Sequence, residues 1–531
     1  VTKPVFIIPS IQSYPYSQDF ESESGWVVEG VNSSWELGQP AGSVINSAYN
    51  GQNAWVTRLA GEYNASEKSY INTPSFDLTS LQRPMLSMAI WTHTQVGFDG
   101  AIIQFSLDGG EEWQNLGNVD EGIGLNWYTE KGLIGRPGED ANEGSNGWSG
   151  VQDGWKVARY PLDEIKDQTA VRFRIAFGSD ATNPPESDFN GFAFDAFWIG
   201  EREKLVMVEH FTNLFSLSSN NSNQTVNNVL QARPNDAISL QYHISSPRPD
   251  PIFIDNINPS NTRGSIYNLT QSPRTVLDGL TFYNYQPNAL NQRDLLNRSL
   301  AEPMFDLELE LIEESATSLA TVRVTLRARA NFDEEVVVHL VPVEKTVIDY
   351  FLQAGNLRNV VKDMVPDPGG NIFVKNWIAG DFETFEETWS LNGLNLYDST
   401  TLAMVAFVQN TRNETTREIY QSAVIDLPIK YPDRVTSLPD MIYSDAFKDV
   451  RLYPNPVKDI FNVQFSEILH KDLDWQIVDM KGVATHKGRI NAGFDRYEFS
   501  TDQLSEGVHN IIFSNGQDIL LVKKMVVIKD W

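Results

Sequence analysis

The chain has 531 residues, with 41 Lys+Arg against 70 Asp+Glu for a net charge of −29, and it contains no cysteine. At ~100–200 residues per domain the length allows three or four domains with cores of their own. The acidic balance would repel a phosphate backbone, which excludes nucleic acid as an expected partner, and the missing thiols exclude disulfides, thiolate metal sites and a cysteine nucleophile.

An absence of free thiols also suits passage through an oxidising compartment. No run of ~18 apolar residues is present, so no transmembrane segment is expected. The opening VTKPVFIIPS lacks the charged start and apolar length of a signal peptide. A secreted form would have lost its signal already.

Residues 1–200 read as all-β. Short apolar runs such as RPMLSMAIWT, GAIIQFSLDGG and TAVRFRIAFGS alternate with Gly, Asn, Asp and Pro clusters. In VRFRIAF, Val171, Phe173, Ile175 and Phe177 share one side and Arg172 and Arg174 the other, the period of a half-buried strand. Many such strands in one unit favour a two-sheet sandwich or jelly roll. The same alternation along FAFDAFWI places Asp195 beside Phe197 and Ile199, so a buried charge is expected there, needing a cation, an Arg or hydrogen bonds. Nine of the thirteen Trp fall in this stretch, and Trp127, Trp148 and Trp155 occupy a long loop over 117–156. Exposed there they could stack on sugar rings; the alternative is that they pin the loop to the sandwich.

The wording FDGAIIQFSLDGGEEWQNLG with GFAFDAFWIG resembles jelly-roll modules of the MAM and bacterial peptidase-associated type, over most of residues 15–200. That resemblance implies a structural Ca²⁺ where the first and last strands meet, with Glu21 and Asp195 as its oxygen donors; satisfaction of Asp195 by Arg or backbone amides remains the alternative.

Residues 201–300 follow a strand, loop, helix, strand order. Val226, Val229 and Leu230 form an i, i+3, i+4 stripe after an Asn/Ser-rich start suited to capping. Together with EHFT and QSPRTVLDG, the stretch resembles the thioredoxin-like domain of a Bacteroidota family of outer-membrane-associated proteins. Ser216 and Ser219 stand where that family carries its C-x-x-C pair, and Pro273 matches its cis-proline. A serine hydroxyl cannot supply the thiolate that exchange requires, so redox chemistry is expected to be lost. A hydrolytic role for Ser216 with His210 or His243 lacks a G-x-S-x-G elbow, and His210 reads as a packed strand residue.

Residues 301–435 read as a further β-sandwich domain, with ATVRVTLRARA and EEVVVHLVPVEK as strands and a short helix in LRNVVKDMVPDPGG ended by Pro366. NVVKDM and FVQN resemble the sandwich that follows the thioredoxin-like part in the same family. No two His lie at metal-ligand spacing, and no carboxylate pair is set to split its pKa values, so neither a catalytic metal nor an acid–base pair is expected.

After a linker, KYPDRVTSLPDMIYSD, the last domain spans 449–531. Pro454 and Pro456 fix the chain as a rigid turn into a strand on which Phe461, Val463 and Phe465 share a face. Hairpins in WQIVDMKGVATHKG and GVHNIIFSNGQDILLVKKMVVIK complete a small antiparallel sandwich of some seven strands. Leu452, Tyr453, Pro454, Asn455, Pro456, Lys458 and Asp459, then Gly507, and finally Lys523 and Lys524 follow the order seen in the type A sorting domain of the type IX secretion system of Bacteroidota, which this region resembles. His509 stands where that family has a Tyr.

The whole is thus expected to be mainly β and multidomain: a jelly roll, a thioredoxin-like α/β domain, a β-sandwich and an immunoglobulin-like terminal sandwich. The resemblance implies export through the periplasm to the cell surface or beyond, with the outer-membrane shuttle β-barrel and the translocon as partners. Upstream, a non-enzymatic adhesion or gliding-related protein with a glycan or protein ligand is expected; the alternative is a carbohydrate-active or other hydrolase with its site in the 117–156 loop.

Overall fold

Alternation decides the first layers: Val171, Phe173, Ile175 and Phe177 are fully buried in the computed structural model, with Arg172 and Arg174 on the opposite face of their strand. The structure describes residues 10–22, 24–139, 146–182, 188–314, 319–348, 356–391, 394, 396–397, 401–410, 417–427, 450–469, 471–479, 484–515 and 518–529. They fall into two units, Val1–Tyr431 and Pro432–Trp531. The expected linker ahead of the last domain and the turn that follows Asp479 lie outside the described residues.

Two six-stranded sheets open the first unit. One runs Ser10–Ile11, Lys68–Phe76, Val171–Gly178, Gly100–Ser106, Gln114–Asn115, with Val27–Val31 also on Lys68–Phe76. The other runs Lys156–Pro161, Pro84–His93, Gly191–Glu201, Ala54–Thr57, Trp35–Gly38, with Tyr16–Gln18 on Gly191–Glu201. Between them lies an aromatic core that includes Trp26, Trp35, Phe76, Trp148, Phe173 and Phe194.

The next sheet crosses the boundary expected at 300/301. Among the described residues it has nine strands, in the order Thr281–Tyr283, Arg274–Leu277, Val206–Thr212, Ala237–His243, Asn356–Val361, Val336–Ile348, Leu402–Gln409, Ile419–Asp426, with Asn371–Phe373 alongside Val336–Ile348. Helix α1 (Leu217–Ala232) joins the parallel strands Val206–Thr212 and Ala237–His243; α2 (Pro251–Asp255), α3 (Ile257–Ile266) and α4 (Gln292–Ser299) follow. Met207, Leu240 and Val276 share one core with Val341 and Phe407, so residues 201–300 and 301–427 are joined by packing as well as pairing. The helix expected in LRNVVKDM is instead the strand Asn356–Val361. Its Leu357, Val360 and Val361 are buried between two neighbouring strands, and tertiary pairing overrides the helical reading. A three-stranded sheet, Phe305–Glu314, Leu319–Ala328 and Phe382–Ser390, shares a core with Val338 and Met404 of the larger one.

Charged side chains close the seam to the first sandwich. Arg202 binds Asp163 at 2.7 Å and Asp236 at 2.9 Å, and Arg83 adds a second cation to Asp236 at 2.9 Å.

In the second unit, Arg451–Tyr453, Ile460–Gln464 and Arg496–Ser500 form one sheet, and Ala484–Ile490, Leu473–Asp479, Gly507–Asn515 and Asp518–Val527 the other. Phe461, Val463 and Phe465 are buried as their alternation predicts, against Phe499, Phe513 and Met525.

Candidate functional site

The turn at Pro454-Asn455-Pro456 does more than redirect the chain. Both of its X–Pro peptides are cis. The Asn455 side chain lies against the outer side of the last strand. Asn455 Nδ2 donates to the Lys524 carbonyl at 3.0 Å, and the Val526 amide donates to Asn455 Oδ1 at 2.8 Å. Val457, fully buried, continues the contact: its amide donates to the Val526 carbonyl at 2.7 Å, and the Ile528 amide donates to the Val457 carbonyl at 2.9 Å. One side-chain amide thereby mimics a residue of a neighbouring strand. Flanking positions support the turn. Leu452 packs on the core, Tyr453 donates to Gln464 Oε1 at 3.1 Å, and the carbonyls of Lys458 and Asp459 both accept from Thr501 Oγ1. Gly507 opens its strand at φ 133°, a conformation that suits glycine. His509 is buried and bonded to the Ser505 carbonyl at 2.8 Å. Sequence reasoning marked Asn455 as part of a turn and missed its role as a strand mimic; an Asn held between two prolines is the signal that was available.

In the first unit, Ser216 caps α1 by accepting from the Ser219 amide at 3.2 Å. Ser219 is buried and its hydroxyl donates to Ser272 Oγ at 3.1 Å, which donates on to the Ser246 carbonyl at 2.9 Å. The Ser272–Pro273 peptide is cis. The structure therefore brings Ser216, Ser219 and the Pro273 turn together. It joins neither serine to a histidine. His210 is buried between Thr275 Oγ1 at 2.9 Å and Asn223 Oδ1 at 2.8 Å, and burial pushes its pKa down to about 4. His243 is committed to Asp250 at 2.8 Å.

A nearby pair was unseen in the sequence. Glu209, fully buried, is held by Arg263 through both carboxylate oxygens at 2.8 and 2.9 Å, and Arg263 also reaches Gln409 at 2.9 Å, tying α3 to two strands of the mixed sheet.

Asp195 is buried as expected, but not beside Phe197. A bulge at Ala196, φ 50°, shifts the alternation, so Phe192 and Phe194 join Phe197 and Ile199 in the core and Asp195 faces the covering segment at 49–50. It accepts from the Tyr49 and Asn50 amides at 3.0 Å each and from the Ala196 amide at 2.6 Å. Glu21 accepts from the Gln52 and Asn53 amides at 2.8 and 2.7 Å. Burial raises the Asp195 pKa to about 6, against the backbone donors, and the Glu21 charge adds to the rise. Both carboxylates thus accept amides of the one segment 49–53, with the Glu21 charge acting on Asp195. Among the described residues no group of three or more His, Asp or Glu is set to hold a metal.

Trp127 and Trp148 are buried against Tyr128, Tyr160 and Phe192, and their indole N–H groups donate to the Leu116 and Asn126 carbonyls. Trp155 is half-buried against Trp91 and donates to the Ser47 carbonyl at 3.0 Å. These rings pin the loop; Trp127 and Trp148 offer no face for a sugar.

Residues 451–529 match the family described as the secretion system C-terminal sorting domain. That match marks the chain as cargo of the type IX secretion system, destined for secretion and the cell surface, and implies contact with that system's machinery. No described helix is long and apolar enough to cross a membrane. No curated protein matches the chain significantly. Among solved structures it is similar to HBP35 of Porphyromonas gingivalis, at 13% identity over 61% of this chain and 99% of that one with a TM-score of 0.36. It is also similar to the K1 cleaved adhesin domain of Lys-gingipain from the same organism, at 13% identity over 36% of this chain and 99% of that one with a TM-score of 0.22. Likenesses this slight carry no argument about activity.

Proposed function

We propose that the chain is a non-enzymatic surface protein whose first unit binds a glycan or protein ligand and whose second unit is the export address. The observation that carries this reading is the terminal match, 451–529, and the serines and His210 of the first unit support it by being held in hydrogen bonds. Ser216 is a helix cap, Ser219 and Ser272 bond each other, His210 is hydrogen-bonded through both ring nitrogens, and His243 is held by Asp250 through Nδ1. Residues 206–299 support a thioredoxin-like ancestry through their strand order and the Pro273 turn, with the thiols replaced; the two leading sheets support a jelly roll of the MAM type. Adhesion, with gliding as one setting, suits such a scaffold better than turnover. Glu21 and Asp195 are the proposed donors for a structural Ca²⁺.

A glycan array and a hydrolase screen on the full chain test this reading together with an insulin-reduction assay. Binding without turnover, and reduction at background, is the expected outcome. Turnover that survives Ser216→Ala but is lost when loop residues 117–156 are shortened would replace it with the hydrolase.

A further inference from the structure

The strand Asp518–Val527 lies at the margin of its sheet. Gly507–Asn515 pairs with one side; on the other, the only pairing among the described residues is the parallel bridge between Val457 and Val527. Around that bridge Asn455, Val457 and Ile528 close the edge. Backbone groups of alternate residues point the same way in an antiparallel strand. Since the Lys524 carbonyl and the Val526 amide face the turn, Val522 also turns its N–H and C=O outward, beyond the turn's reach. Its side chain is 50% exposed.

We propose that this half-closed edge is where the secretion machinery reads the domain: an extended, acidic segment of an outer-membrane component adds as a strand beside Val522, and the Pro454-Asn455-Pro456 turn stops it at Lys524. The proposal rests on the sorting reading above and deepens it. Strand addition supplies affinity through main-chain bonds, and side chains supply the choice of partner. Residues 450–531 hold ten Lys+Arg against eleven Asp+Glu in a chain that is otherwise strongly acidic, and Lys523, Lys524 and Lys529 lie in or just after the open strand. Carboxylates on an incoming strand complement them. A second copy of this chain fits less well, because edge-to-edge pairing would bring two sets of these lysines together.

The test uses the full chain in a bacterium that carries the secretion system. Val522→Pro removes an outward N–H while leaving the paired side intact, a change an edge strand tolerates; Val522→Thr keeps the backbone group. Surface-exposed protein should fall by about tenfold or more for Val522→Pro, with folded chain held in the periplasm, and stay at the parental level for Val522→Thr. Folded Val522→Pro reaching the surface normally would overturn the proposal and leave the lysines as guards against aggregation. Should Val522→Pro fail to fold, single thiols decide, since the chain has none of its own. Val522→Cys should crosslink in cells to an outer-membrane β-barrel protein and Ile460→Cys, exposed on the other sheet, should not; equal crosslinking from both contradicts the edge. A chain lacking 449–531, run in parallel, separates the two ideas: its arrival at the surface would sink the sorting reading itself.

Discussion

Two buried groups give the first unit opposite responses to acid. His210 is held neutral, with its pKa pushed from the ordinary imidazole value down to about 4. The unfolded chain therefore takes up a proton first, and this residue's contribution to stability falls as pH drops from about 6.5 to about 4. Asp195 is raised to about 6, so the folded chain takes the proton first and this residue's contribution falls as pH rises from the ordinary carboxylate range toward about 6. Unfolding curves of His210→Gln and Asp195→Asn, each subtracted from the parent across that range, should show slopes of opposite sign. If Glu21 and Asp195 hold Ca²⁺, a chelator lowers the parent's melting temperature at neutral pH and leaves Asp195→Asn unmoved, because an ion bound only by the folded state stabilises it by mass action. An unchanged parent curve, with no metal by elemental analysis, would return Asp195 to its backbone amides. Asn455 is testable at the same scale: Asn455→Ala should destabilise the second unit by ~1–3 kcal/mol and speed hydrogen exchange at the Val526 amide, since a paired donor loses its acceptor. Protection of Val526 equal to the parent's would contradict the strand-mimic role.

At the scale of elements, a fully buried charge pair ties α3 to the mixed sheet. Glu209→Ala should destabilise the first unit by ~3–5 kcal/mol, because it strands the Arg263 guanidinium between α3 and the sheet. Ser216→Ala removes a helix cap and should cost only ~1 kcal/mol. Comparable losses in chemical unfolding would mean that the pair is not what joins these elements. Where the sequence could be read and where it could not follows from the same physics. Alternation in VRFRIAF and in IFNVQF predicted the buried faces because the core side of each strand carries apolar residues and the other side mainly polar ones. The helix expected near NVVKDM failed because its strand is covered on both faces, where no alternation survives. The shift at Asp195 turned on a single bulged residue, and the Glu209–Arg263 pair on two positions fifty-four residues apart, neither of which leaves a local pattern. Ser216, Ser219 and Pro273 were singled out by family resemblance and not by a local pattern; the structure joins them through Ser272. Exposure of the loop tryptophans was not legible, since an indole in a Gly-rich loop reads alike whether it faces solvent or core.

Across the whole molecule, the proposed function divides with the two units. In the first, Ser216, Ser219 and His210 are held by a cap and buried hydrogen bonds. In the second, a turn and a strand are arranged around one asparagine within the region that matches a sorting domain. The match to a sorting domain assigns export to this second unit. Deleting residues 449–531 from the full chain, in a bacterium with the type IX system, and then measuring the share of protein accessible at the cell surface, tests that claim most directly. The truncated chain should accumulate in the periplasm with its first unit still folded. A truncated chain that reached the surface as well as the parent would contradict it.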